Sequence, residues 1–217
     1  MKQNNIFDII FTKFYDIFFK KIGHNVPVGP IKNIMDPFYA ILEKIACQFP
    51  IIQSLYIKPY RSMIKQELSM FSFPTNSHVL VIGCGSLPVT ALALDELYPV
   101  TIDCVDIDTD AVNNAKSVLS TMKKENITVH QKNGLDCSID TYYIVYLLYG
   151  IQDQITMLKY ISKNLKNTSY VLFRTSTDIK ETNKELYDAI HALFAVKNTI
   201  EIESFGSIET YLLGLKN

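Results

Sequence analysis

The sequence predicts an α/β fold: a mostly parallel sheet covered by helices on both faces, preceded by a helical lobe. Three observations carry that expectation. Past residue 75, short apolar runs alternate with segments of helical periodicity, the pattern of parallel strands joined by crossover helices. The first of these runs, in "VLVIGCGSLPVTALAL" (79–94), passes through two glycines straight into a helix-forming stretch, as open parallel sheets do where their first strand meets a ligand. Before residue 75 the apolar residues follow helical spacing instead, as Ile6, Ile10, Phe14, Ile17 and Phe18 do.

Taken in order, residues 1–74 are expected to form the helical lobe, broken at "GHNVPVGP", at 47–50 and near Pro59. "FSFPTNSH" closes the lobe and leads into a strand over 79–82. A helix over 88–97 follows; Pro88 suits its start, because a first-turn residue has no need of its N–H. Next come a strand over 101–105, a helix over 110–123 and a strand over 127–131. The chain continues with a strand over 142–148, a helix over 153–165, a strand over 170–173 and a helix over 182–194. It finishes on strands near 200–204 and 208–213. Only a short "FGS" separates these last two, which predicts a hairpin and one antiparallel strand in the sheet. That ending fits a class I methyltransferase-like, Rossmann-like sheet better than a nucleotide-dehydrogenase one, and residues 75–217 are read as that domain.

Composition narrows the function. The chain has 217 residues, 48% of them hydrophobic, and a formal charge of -1, so it lacks the broad positive field that a nucleic-acid partner requires. Residues 1–74 carry net +4 and residues 75–217 net -5, read as two lobes with solvated faces. Cys47, Cys84, Cys104 and Cys137 show no C-x-x-C spacing and the four histidines are scattered, so reduced buried thiols, a cytoplasmic location and no metal site are expected. Asp8, Lys13 and Asp16 interrupt the apolar N-terminus before a membrane-spanning length accumulates, so no membrane partner is expected.

The glycine loop selects among ligands. A dinucleotide loop needs a third glycine where Pro88 stands, and a phosphate-binding loop needs a following Gly-Lys-Ser/Thr that is absent. Asp106 ends the second strand about 20 residues past the loop, where an acid accepts hydrogen bonds from ribose hydroxyls. Asp108 is read as a helix N-cap. In "QKNGLD", Asn133 either meets an adenine edge or belongs to ordinary turn chemistry, and Gly134 permits a tight turn. A glycine loop, a ribose acid and an adenine-side amide without phosphate ligands point to S-adenosylmethionine. Gly83, Cys84, Gly85, Leu87, Pro88, Thr90, Asp106, Ile107, Asn133, Gly134 and Tyr149 are assigned to it.

"GCGSLPVTA" (83–91) resembles the G-S-G-P-L-P-L-T-S loop of nicotianamine synthases and their bacterial metallophore relatives. Further matches follow in the same order. "YIKPYRSMIKQEL" is similar to the P-Y-Y-x-N-Y-x-x-L-x-x-x-E segment, aligning Tyr56, Tyr60 and Glu67. "VDIDTDAVNNA" resembles D-I-D-x-x-A-N-x-x-A, and "YVLFRTS" resembles L-L-V-L-R-S-A, aligning Arg174. "ELYDAI" and "SIETYLLGLK" echo two later segments. The resemblance spans residues 38–216. It implies that an amine attacks the carbon beginning the 3-amino-3-carboxypropyl chain of S-adenosylmethionine and that methylthioadenosine departs. Tyr56, Tyr60, Glu67 and Arg174 are the candidate catalytic residues. Tyr60 and Glu67 lie seven apart and share a helix face. Tyr60 is placed at the tail carboxylate or against the sulfonium, and Glu67 at the amine or its proton. Arg174 either clamps a carboxylate or pairs with a neighbouring acid.

Two features depart from the plant-type members. Their A-E-x-x-L-E motif is matched here by "FYAILE", with Tyr39 at the first glutamate and Glu43 at the second, and the chain is shorter. Both leave room for a reaction with no second substrate, in which the cofactor's own amine closes azetidine-2-carboxylate. The acceptor is otherwise a small-molecule amine or amino acid. An ordinary small-molecule methyltransferase and a binding module without turnover are the alternatives from other classes.

Overall fold

The computed structural model describes residues 50–202 and 208–216, apart from the side chains of residues 50–52, 55 and 56. The amphipathic segment near the N-terminus, the break at "GHNVPVGP", Tyr39, Glu43, Cys47 and the "FGS" turn lie outside the described residues. Helix α1 (Pro50–Leu68) runs into strand β1 (His78–Ile82). Pro59 lies inside this helix instead of breaking it. A mid-helix proline costs about 3 kcal/mol. Against that, Ile57, Met63, Ile64 and Leu68 are all buried, so packing of the helix overrides its local propensity.

After β1 the chain alternates as α2 (Val89–Leu97), β2 (Thr101–Asp106), α3 (Thr109–Thr121) and β3 (Ile127–Gln131). It continues through β4 (Ile144–Leu147), α4 (Gln154–Asn164) and β5 (Tyr170–Ser176). The helix expected over 182–194 is instead two pieces, α5 (Ile179–Thr182) and α6 (Lys184–Leu193). Asn183 caps the second by accepting from the Leu186 amide at 3.1 Å. Strands β6 (Phe194–Ile202) and β7 (Ile208–Leu215) complete the sheet, with β6 starting six residues earlier than its apolar pattern indicates.

The strand order is β3-β2-β1-β4-β5-β7-β6, with β7 antiparallel to both β5 and β6. This is the mostly parallel sheet with a terminal hairpin that the sequence predicts. Its order reverses between β1 and β4, and open α/β sheets bind ligands at the C-terminal strand ends beside such a switch point. Two apolar layers cover the faces. One joins Ile57, Ile64 and Leu68 of α1 to Leu92 of α2, Val118 of α3, and the strand residues Val81 and Leu172. The other joins Met157 and Leu158 of α4 and Ile190 of α6 to Leu80, Val145 and Phe173. Cys84, Cys104 and Cys137 are buried and unlinked, as expected for reduced thiols.

At the opposite, N-terminal end of the strands, Asp103 accepts from Tyr142 Oη at 2.9 Å, pairs with His78 Nε2 at 2.9 Å and accepts from the Thr128 hydroxyl. Burial pushes its carboxyl up, but the Thr128 and Tyr142 hydroxyls and His78 outweigh that and hold it below the usual carboxylate range. A lowered native pKa gives stability that is present above the unfolded value, about 3.9, and is lost as pH falls through the native one. Melting temperatures of the wild type and Asp103→Asn are therefore expected to differ at pH 6 and to converge as the pH drops below about 4. A constant gap down to pH 3 would remove the carboxylate from the acid response.

Candidate active site

The loop after β1 is shaped by two left-handed glycines, Gly83 at φ +78° and Gly85 at φ +69°. The Gly83 amide donates to Val105 O at 2.8 Å, which lays the loop along β2. The Gly85 amide donates to Asp106 Oδ2 at 2.9 Å, and the Asp108 amide donates to Oδ1 of the same carboxylate at 3.0 Å. Each carboxylate oxygen has a second lone pair, so Asp106 can still accept a pair of neighbouring hydroxyls at the strand end. Asp108 accepts from the Asp110 and Ala111 amides as the N-cap of α3. Ile107, between the two acids, is 64% exposed, an apolar surface at the strand end.

The loop's other assigned residues divide by direction. Cys84 and Leu87 are buried in the core, so any ligand contact at these two positions runs through their backbone. Pro88 is the N-cap of α2 and Thr90, in its first turn, is 1% exposed. Asn133 Oδ1 accepts from the Leu135 amide at 3.0 Å, capping the short 3₁₀ turn Gly134–Asp136; that is the turn chemistry anticipated for Asn-Gly. Gly134 opens that turn, as expected, but the turn does not call on glycine's φ range. Its φ is not positive. A Cβ there would lie 2.7 Å from both Ile82 Cγ2 and Met157 Cε, so close packing is what the glycine serves. Tyr149 is half-buried, and its carbonyl accepts from Gln154 Nε2 at 3.2 Å.

Two of the four candidate catalytic residues, Glu67 and Arg174, meet in one buried cluster. Arg174, near the C-terminal end of β5, donates from Nε to Glu67 Oε1 at 2.7 Å and from Nη2 to Oε2 at 2.9 Å. Its Nη1 donates to Thr90 Oγ1 at 2.8 Å, tying the pair to the helix that follows the glycine loop. The Thr210 hydroxyl of β7 donates to Glu67 Oε1 at 2.8 Å. Glu67 is 0% and Arg174 4% exposed. Burial works against the guanidinium charge, but the adjacent Glu67 carboxylate outweighs it and holds Arg174 protonated. Of the two alternatives for Arg174, pairing with an acid is the one realised, and the acid is Glu67. Tyr60 is half-buried against the same core and lies within the electrostatic reach of Arg174. Gln53, Tyr60 and Glu67 recur every seven residues on α1, a polar stripe on its buried side. Tyr56 lies on α1 too, with its side chain outside the described residues.

Sequence reasoning missed two members of this cluster. Thr210 sits between Glu209 and Tyr211 in β7, and Tyr146 sits in "IVYL", whose four residues are all buried. A lone polar group within a fully buried strand is the signal that marks Tyr146; Thr210, in a strand that also carries Glu209, has no such signal. Among the described residues no group of three or more His, Cys, Asp or Glu could hold a metal ion, and no helix is long and apolar enough to cross a membrane.

Comparison with solved structures bears on the fold. The nicotianamine synthase MtNAS in complex with MTA and tNA superposes with a TM-score of 0.74 over 92% of this chain and 86% of that one, at 16% identity. This chain has the nicotianamine synthase fold. A glutamate-to-glutamine variant of MtNAS in complex with S-adenosylmethionine gives a TM-score of 0.73 over 91% of this chain and 88% of that one, at 15% identity. A SAM-dependent methyltransferase from Aquifex aeolicus matches less of the chain, 70% of it and 89% of its own length, with a TM-score of 0.57 and 11% identity. No family model and no curated protein matches the sequence. The likeness to MtNAS is thus one of fold, and it extends over more of the chain than the likeness to the methyltransferase.

Proposed function

We propose that the protein is an S-adenosylmethionine-dependent transferase in which an amine attacks the first carbon of the 3-amino-3-carboxypropyl arm. A C–N bond forms, the C–S bond breaks, the sulfonium leaves as neutral methylthioadenosine, and the amine gives up one proton. The nitrogen belongs either to a small-molecule amine or amino acid, or to the arm itself, in which case the product is azetidine-2-carboxylate. The observation that supports this reading over methyl transfer is the extent of the likeness: 92% of the chain against MtNAS and 70% against the Aquifex methyltransferase.

In this reading Asp106 accepts the ribose hydroxyls, Ile107 covers one face of the base, and the glycine loop lets the backbone approach the sulfur end of the nucleoside. Three carbons surround one sulfonium, so the reaction is chosen by which carbon lies in line with the nucleophile. Positioning of that kind supplies much of the rate. Tyr60 offers an aromatic face to the sulfonium charge. Glu67 and Arg174 fix α1 against the end of β5 beside the arm.

The test is an incubation of purified protein with S-adenosylmethionine alone and then with added amino acids, read by mass spectrometry. Methylthioadenosine together with azetidine-2-carboxylate, above a control without protein, is expected for ring closure. A new aminocarboxypropyl amine appearing only with an acceptor is expected for chain transfer. S-adenosylhomocysteine as the product would overturn the reading in favour of methyl transfer.

A further inference from the structure

The loop that joins β4 to α4, residues 148–153, leans on the glycine loop across the switch point of the sheet. The Ile151 side chain lies on Gly83: a Cβ at that glycine would be 2.9 Å from Ile151 Cγ1 and 3.2 Å from Cδ1. The missing side chain of Gly83 thus makes room for Ile151, in addition to its positive φ turning the chain out of β1. Ile151 is half-buried and rests on the apolar layer that holds Leu80, Val145 and Phe173. Its contact joins the two loops that flank the point where open α/β sheets take up ligands.

The loop has little backbone support of its own. Among the described residues, no backbone–backbone hydrogen bond involves residues 149–152. Gly150 is exposed, and a Cβ there would meet nothing within 4 Å. At the far end Asp153 holds a left-handed φ of +49°, sparsely populated for a residue with a side chain. It is fixed there as the N-cap of α4, its Oδ1 accepting from the Thr156 amide at 3.2 Å. Segments that move to admit ligands come from the least stable parts of a fold, where exposed backbone is held by few bonds. Here one apolar contact latches such a segment.

We propose that residues 148–153 form a lid over the glycine loop, with Ile151 on Gly83 as its latch, and that a nucleoside ligand enters when the latch opens. The lid rests on the reading of the protein as an S-adenosylmethionine enzyme, which supplies that ligand. Two substitutions move the latch in opposite directions. Ile151→Ala takes away most of the contact and leaves Gly83 as it is. Gly150→Ala fits the closed loop, where φ is not positive and a Cβ has room, but narrows the backbone freedom that the open loop gains.

The chain contains no tryptophan, so Gln152→Trp, at an exposed position of the lid, gives every protein in the series one fluorescent reporter. Stopped-flow mixing of Gln152→Trp with methylthioadenosine, alone and combined with each substitution, tests the lid. Ile151→Ala is expected to raise the association and dissociation rates together, each about tenfold, with Kd nearly unchanged. Gly150→Ala is expected to lower both rates about two- to fivefold. An effect of Ile151→Ala confined to dissociation would overturn the lid and make Ile151 a ligand contact. Equal rates in all three proteins would overturn it too, as would a reporter signal untouched by binding. Calorimetry of the wild type with the same nucleoside separates the two readings: no binding there would sink the cofactor reading, whereas binding with unchanged rates would sink the lid alone.

Discussion

Arg174→Met is expected to destabilise the protein by about 3–5 kcal/mol, on the order of 10 °C in melting temperature for a chain of this size. The change leaves the Glu67 carboxylate at 0% exposure with one remaining neutral donor, Thr210, at 2.8 Å. Glu67→Gln strands the opposite charge and is expected to destabilise similarly. The double variant Glu67→Met/Arg174→Met is expected to recover most of the loss, because two apolar side chains in a buried ion-pair site are close to neutral in stability. Chemical denaturation of the wild type, Glu67→Met, Arg174→Met and the double variant closes the cycle. Additive losses in the double variant would show that the two charges do not stabilise one another.

The same variants bear on chemistry. Both Glu67 oxygens already accept from Arg174. In this arrangement the carboxylate serves first to hold Arg174 and α1 in place. Wild-type turnover in Glu67→Gln would remove the residue from the mechanism altogether. Loss of turnover with S-adenosylhomocysteine affinity retained would leave it a role in the reaction step.

The second large effect is expected at Asp106. Both of its oxygens accept backbone amides, from Gly85 at 2.9 Å and Asp108 at 3.0 Å. Asparagine is nearly the same size, but whichever way its amide turns, an N–H group faces one of those two N–H donors. Asp106→Asn is therefore expected to disturb the loop and to raise the dissociation constant for methylthioadenosine about 10- to 100-fold, the loss of hydrogen bonds to a charged acceptor. Asp108→Ala supplies the contrast. It removes a helix cap and is expected to reduce stability by about 1 kcal/mol with little change in nucleoside affinity. Equal binding by Asp106→Asn and the wild type would displace the ribose from this strand end.

The alternation of strands and helices, the two-glycine loop, the acid closing β2 and the terminal hairpin were all legible in the chain. Each is written in local patterns: apolar periodicity, residues that tolerate positive φ, and polar residues at element ends. Asp108 was legible as a cap for the same reason, because a cap bonds to amides within its own turn.

What the sequence by itself determined is therefore the alternation of strands and helices past residue 75 and the end of the sheet at which the glycine loop and Asp106 lie. The tertiary structure alone decided that Glu67 pairs with Arg174, 107 residues away, and also holds Thr210, 143 residues away. It decided as well that Pro59 sits within a helix, that Gly134 is required by packing, and that Tyr146 faces this charge pair. The physical reason is common to these cases: local pattern tells a residue which face it occupies, whereas its partner depends on which strands become neighbours. That neighbour order is set by burial summed over the whole sheet, and no single stretch of sequence carries it.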